Sequence, residues 1–185
     1  MEIIILDRDG VINYDSPNYI KTPDEWEAIP GSIDAIANLT QAGFKIVICS
    51  NQSGIGRGLF TMQDLNDIHQ KMHRLVDQAG GKIAAIFICP HTPENNCECR
   101  KPKSKMIIDI CARFNVDDIS HVAFIGDSMR DLEAISTVGG IPVLVKTGNG
   151  KKTLNQKNMP ENTLVFESLA DASEYLIENK DHARE

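Results

Sequence analysis

Nowhere in the 185 residues is there a run of about 18 apolar residues, so the sequence offers no membrane span. Its start passes from Glu2-Ile3-Ile4-Ile5-Leu6 straight into charged residues, without the basic opening and longer apolar stretch of a signal peptide. A soluble, cytoplasmic protein is expected. Positive charge is not in excess either: 19 Lys and Arg stand against 26 Asp and Glu, a net charge of -7. That balance argues against a nucleic-acid partner, which calls for a concentrated basic surface. An anionic small substrate stays open, because a few local cations and a metal can override the overall sign. Five cysteines is an odd count, and three fall between positions 89 and 99, a poor disulfide framework and a better metal site. The other two, Cys49 and Cys111, sit in apolar patterns and are expected in the core. There is no internal repeat and no heptad run, so a monomer is the default.

What is present is ordinary for a globular chain: 42% apolar and 24% charged residues, over a length that suits one domain, 1–185. Apolar runs predict strands at Ile3–Leu6, Phe44–Cys49, Ala84–Ile88, Val122–Ile125, Ile141–Val145 and Thr163–Phe166. Most are uninterrupted, as in parallel strands covered on both faces. Helices are predicted between them, at Ile33–Ala42 with Ser32 as cap and Gly43 as stop, and after Thr61 with Asp64 as a capping box. The latter carries Leu65, Ile68, Met72, Leu75 and Val76 on one face. Further helices fit Ser104–Phe114, Met129–Val138 and Leu169–Ile177, whereas Asn149–Asn162 reads as loose and Asn179–Glu185 as frayed. The alternation predicts an α/β fold: three layers around a doubly wound, mostly parallel sheet, with ligands bound at the carboxyl ends of the strands.

Four segments fall on that edge. Leu6-Asp7-Arg8-Asp9-Gly10 crowds two carboxylates at the end of the first strand, which is costly without a compensating cation. Ser50-Asn51-Gln52-Ser53-Gly54 follows the second strand with a hydroxyl and amides suited to phosphate. Arg100-Lys101-Pro102 supplies cations before a helix, and Gly126-Asp127-Ser128-Met129-Arg130-Asp131 adds two carboxylates after the fourth strand. Each alone could be an ordinary loop. Together they assemble acids, a hydroxyl and a lysine around one crevice.

In order and spacing these segments resemble the four motifs of the haloacid dehalogenase-like phosphatase superfamily, over roughly Ile3 to Val145. The resemblance implies Asp7 as nucleophile, Asp9 as general acid and base, and Ser50 and Lys101, with Asn51 and Arg100 nearby, holding phosphate. It implies Mg²⁺ on Asp7, Asp127 and the main-chain carbonyl of Asp9, with Asp131 supporting Asp127 or Lys101. These residue types suit phosphoryl transfer. A carboxylate repels a phosphate dianion, so cations must neutralise charge before attack, and the covalent intermediate divides one hard hydrolysis into two easier steps.

Cys89, His91, Cys97 and Cys99 have the spacing C-x-H-x5-C-x-C, a complete tetrahedral set for zinc. With no open position the zinc is expected to be structural, and the loop, about 89–99, runs directly into Arg100-Lys101. This loop is similar to that of the superfamily branch holding heptose bisphosphate and histidinol-phosphate phosphatases, which has no large cap domain; none can be fitted here. The run Gln52–Gly58, with Arg57 suited to a second phosphate, resembles the heptose enzymes, so a heptose 1,7-bisphosphate is the expected substrate and histidinol phosphate the alternative. Asn13, Tyr19 and Lys146 are further candidate sugar or phosphate contacts. A non-catalytic phosphosugar-binding module and a polynucleotide end phosphatase are weaker readings: the first needs no nucleophile, and the second needs a basic, aromatic-lined groove.

Overall fold

In the computed structural model, residues 2–180 are described; the expected fraying at 181–185 lies outside them. Six strands form one sheet: β1 (Ile3–Leu6), β2 (Lys45–Asn51), β3 (Ile83–Cys89), β4 (Ala123–Gly126), β5 (Ile141–Val145) and β6 (Leu164–Phe166). Their order is β3-β2-β1-β4-β5-β6 and every pairing is parallel. The expected doubly wound α/β sheet is thus observed: strands are added on one side of β1 up to β3 and on its other side from β4 onward, so the winding reverses between β1 and β4.

Among the described residues seven α-helices accompany it: α1 (Ser32–Gln41), α2 (Ser53–Gly56), α3 (Met62–Gln78), α4 (Lys105–Arg113), α5 (Met129–Ser136), α6 (Gly150–Leu154) and α7 (Leu169–Glu178). Strand alternation splits the core in two. Ile4 and Leu6 of β1 pack with Ile36, Leu39, Ile68 and Leu169 from α1, α3 and α7. Ile3 and Ile5 turn the other way, onto Ile107 and Ile110 of α4 and Ile135 of α5. Cys49 and Cys111 lie in this second cluster, as expected of small hydrophobes.

Several boundaries differ from the sequence expectation for tertiary reasons. β2 runs on to Asn51 because Ser50 and Asn51 pair with Ile88 and Cys89 of β3. Ser32 is not a cap: Gly31 occupies that position, and the Ser32 hydroxyl donates to the Ile12 carbonyl at 2.6 Å. Gly43 does end α1, at φ +87°, and Thr61 and Asp64 form the expected capping box on α3. The segment read as loose, Asn149–Asn162, contains α6. Its buried Thr153 donates to the main-chain carbonyl of Asp127 at 2.8 Å, a long-range bond that local composition does not announce.

Candidate active site

The strand register sets the site. Leu6 lies level with Ile48 of β2 and Ile125 of β4, and the Asp7 amide continues the ladder by donating to the Ile125 carbonyl at 3.0 Å. Asp7, Ser50 and Asp127 therefore leave three adjacent strands at one edge, at the reversal point where open α/β sheets bind ligands. They line a cavity of ≈ 290 Å³ together with Asp9, Lys101 and Asp131.

Lys101 is the electrostatic hinge of this group. Only 2% exposed, its ammonium lies 3.0 Å from Asp7 Oδ1 and 2.7 Å from Asp131 Oδ1, and it donates to the Cys49 carbonyl at 2.8 Å. Burial would discharge it, but Asp131 and Asp7 outweigh burial and hold it protonated. Of the two roles open to Asp131, the contact is with Lys101. Its other oxygen accepts from the Ser128 hydroxyl at 2.6 Å at the head of α5.

Burial first, and like charge after it, raises Asp7 and Asp127. Burial pushes Asp7 up to about 8; Lys101 opposes this, while Asp131, Asp127 and Asp9 add to it. Asp127 is likewise raised by burial, to about 6, although the Asn149 amide donates to it at 2.7 Å. Two glycines make room for Asp127. A Cβ on Gly10 or Gly148 would fall 2.1 or 2.2 Å from its Oδ2, and both have positive φ. Carboxylate oxygens of Asp7, Asp127 and Asp131 lie within 4.8 Å of one another. Crowded, partly desolvated oxygens of this kind fit a hard divalent cation.

Asp9 behaves oppositely. Burial would raise it, but the Arg8 guanidinium and hydrogen bonds from Asn13, Arg8 and Gln52 more than cancel that and hold it below the usual carboxylate range. Asn13 donates to Asp9 at 2.9 Å from a buried position, so it is a prop under Asp9 rather than a sugar contact. Lys146 pairs with Glu167 and does not line the cavity. Asn51 lines the cavity as expected, and its amide also brackets the Lys101 main chain, donating to the carbonyl and accepting from the N–H, both at 3.1 Å. Arg57, Arg100 and Tyr19 line the cavity. So does Gln52, one of the amides expected there, and so do Asp15, Arg130 and Asn149, to which the sequence reading assigned no individual role. Gln52 stands two residues after Ser50, to whose hydroxyl it donates at 2.8 Å.

The cysteine-histidine loop closes on itself. Sulfur separations are 3.2 Å for Cys89–Cys99 and 3.6 Å for both Cys89–Cys97 and Cys97–Cys99. His91 Nδ1 lies 3.7 and 3.3 Å from the Cys89 and Cys99 sulfurs. A tetrahedron with metal–sulfur bonds of about 2.3 Å has edges of about 3.8 Å, so the four side chains fit one zinc with little adjustment. Cys89 is the last residue of β3, and the Arg100 guanidinium donates back to the His91 carbonyl at 3.2 Å. The loop is thereby tied to both the sheet and the cationic segment.

Residues 3–139 match the haloacid dehalogenase-like hydrolase family. The chain belongs to that family. Among haloacid dehalogenase-like hydrolases it is similar, at 56% identity over 180 residues and 96% of both chains, to D-glycero-β-D-manno-heptose-1,7-bisphosphate 7-phosphatase of Neisseria meningitidis serogroup A. The crystal structure of D,D-heptose 1,7-bisphosphate phosphatase from B. bronchiseptica, complexed with magnesium and phosphate, superposes with TM-score 0.95. It is 53% identical and covers 97% of this chain and 99% of its own. The corresponding enzyme of Burkholderia thailandensis gives TM-score 0.77 at 42% identity, covering 96% and 99%. Among the described residues no helix is long and apolar enough to cross a membrane.

Proposed function

We propose that the protein is a Mg²⁺-dependent phosphatase that removes the 7-phosphate of D-glycero-β-D-manno-heptose 1,7-bisphosphate through a phosphorylated Asp7. The observation that carries this is the meeting of Asp7 with the buried Lys101 ammonium, 3.0 Å apart, inside a cavity lined with further carboxylates and arginines. Relatives bearing that enzyme name, at 49–56% identity over nearly the whole chain, support the sugar and its β configuration.

In the proposed reaction Asp7 attacks phosphorus in line with the departing sugar oxygen, and Lys101 stays charged beside the equatorial oxygens. Ser50 and Arg100 hold the phosphoryl group. Asp9 delivers a proton to the leaving alkoxide and then takes one from the water that hydrolyses the aspartyl-phosphate. In the ligand-free site Asp9 is ionised; the arriving dianion raises its proton affinity. Asp7, Asp127 and the Asp9 carbonyl are the proposed ligands of Mg²⁺, which when bound neutralises charge on the phosphate and the carboxylates. Arg57 is proposed to take the second phosphate. The five thiols, none in a disulfide, suit a cytoplasmic enzyme, and its product would serve lipopolysaccharide-core heptose.

The test is phosphate release in Mg²⁺ from both heptose 1,7-bisphosphate anomers and from histidinol phosphate in parallel. Preference for the β-bisphosphate is expected. Preference for histidinol phosphate would keep the chemistry and change the substrate.

Cys89, His91, Cys97 and Cys99 are proposed to hold one structural zinc, which fixes Arg100 and Lys101 at the cavity. Elemental analysis should find one zinc per chain. Brief chelation should abolish turnover, with Mg²⁺ alone restoring it while zinc remains bound. A requirement for added zinc would make the second metal something other than structural.

A further inference from the structure

Arg8 lies between the two carboxylates of the first motif, yet its side chain is fully buried and does not line the cavity. Burying a guanidinium is costly unless its donors are matched. Here most of them are spent on Asp9. Nη2 donates to Asp9 Oδ1 and Oδ2 at 2.9 and 3.0 Å, and Nε donates to Oδ1 at 3.2 Å. The other terminal nitrogen, Nη1, lies 3.4 Å from Nε2 of His69, a largely buried side chain of α3. Burial, followed by the charge of Arg8, pushes His69 down to about 3, so the ring is neutral and free to accept from the guanidinium. Gln52 closes the arrangement, donating to Asp9 Oδ2 at 2.9 Å.

His69 needs explaining. It stands four residues after Leu65 on the face of α3 that also buries Ile68, Met72 and Val76. An apolar residue would fill that position without the cost of desolvating an imidazole. Its one polar contact among those described leads, through Arg8, to the carboxyl of Asp9, which remains 21% exposed at the cavity.

We propose that Arg8 and His69 are positioning residues that act through Asp9: the imidazole fixes the plane of the guanidinium, and the guanidinium fixes the carboxyl against the leaving-group side of the cavity. This rests on the reading of Asp9 as the proton donor. A sugar alkoxide is a poor leaving group and needs the proton, whereas p-nitrophenolate leaves without one. Loss of positioning should therefore depend on the leaving group, which a general loosening of the fold would not produce.

The experiment is rapid-quench measurement of the first turnover with heptose 1,7-bisphosphate and with p-nitrophenyl phosphate, on the Mg²⁺-loaded enzyme. Arg8→Lys keeps the charge and loses the fork; about a 100-fold fall is expected with the sugar phosphate and less than about 5-fold with the aryl ester. His69→Leu should cost about 10-fold on the sugar alone, and His69→Gln, which retains an acceptor near the Nε2 position, should recover most of it. Should Arg8→Lys fail to fold, the His69 pair carries the test by itself. Asp9→Asn runs alongside. If it shows the leaving-group dependence and the Arg8 and His69 variants lose both substrates equally, the positioning role is overturned. If Asp9→Asn shows no such dependence, the reading of Asp9 and this inference fall together.

Discussion

Asp7→Asn is expected to lower kcat about 10⁴-fold or more, the scale on which removal of a covalent nucleophile acts. The substitution keeps the shape of a side chain that accepts from the Arg8 amide at 2.8 Å and faces Lys101, so the fold should not change. Stability gives an independent reading. Burial, reinforced by Asp131, Asp127 and Asp9 and opposed by Lys101, sets Asp7 at about 8 in the metal-free protein. A carboxyl raised on folding binds more protons in the native state, so it costs stability increasingly as pH rises from its unfolded value towards 8. Asn removes that cost, and the metal-free variant should melt no lower than the parent at neutral pH. Residual turnover above about 1% of the parent rate, measured as phosphate release, would remove Asp7 as the nucleophile.

Lys101→Met is expected to damage both activity and fold. The ammonium pairs with Asp131, which is fully buried, and lies 3.0 Å from Asp7. Removing one partner of a buried ion pair leaves an uncompensated charge and costs about 3–5 kcal/mol. Loss of a preorganised cation beside the phosphoryl oxygens should lower kcat by a further factor of about 10²–10³. Urea unfolding and steady-state kinetics measure the two effects. Adding Asp131→Asn to Lys101→Met should return part of the stability and none of the activity, because it removes the orphaned charge without supplying a cation. A single variant as stable as the parent would mean that the Lys101–Asp131 contact contributes nothing net.

Sheet, strand sequence and most helix starts could be read from local pattern, because parallel strands covered on both faces are short unbroken apolar runs and helices announce themselves by caps such as Thr61 with Asp64. Boundaries drifted where partners decided them. β2 extends to Asn51 only because β3 continues beside it. α1 is capped by Gly31 because Ser32 is drawn to the Ile12 carbonyl. α6 went unread since what anchors it is a bond from Thr153 to Asp127.

The division within the site follows the same physics. Residue types and spacing alone brought out the acids Asp7, Asp9 and Asp127, the cation Lys101 and the cluster of three thiols and an imidazole, since such groups are recognisable by their chemistry wherever the chain takes them. Which of them touch was a tertiary matter. Lys101 reaches Asp7 and Asp131 together because β1 and β4 are neighbours in the sheet, although more than a hundred residues separate them in the chain. Asn13 and Lys146 looked like candidate substrate contacts in sequence but are committed elsewhere, to Asp9 and to Glu167. Conversely, His69 reads as one position on an apolar helix face and acquires meaning only when α3 packs it against Arg8. Sequence determines which functional groups are available; packing determines their partners, because a polar group's role depends on the particular donor or acceptor that burial leaves within about 3 Å.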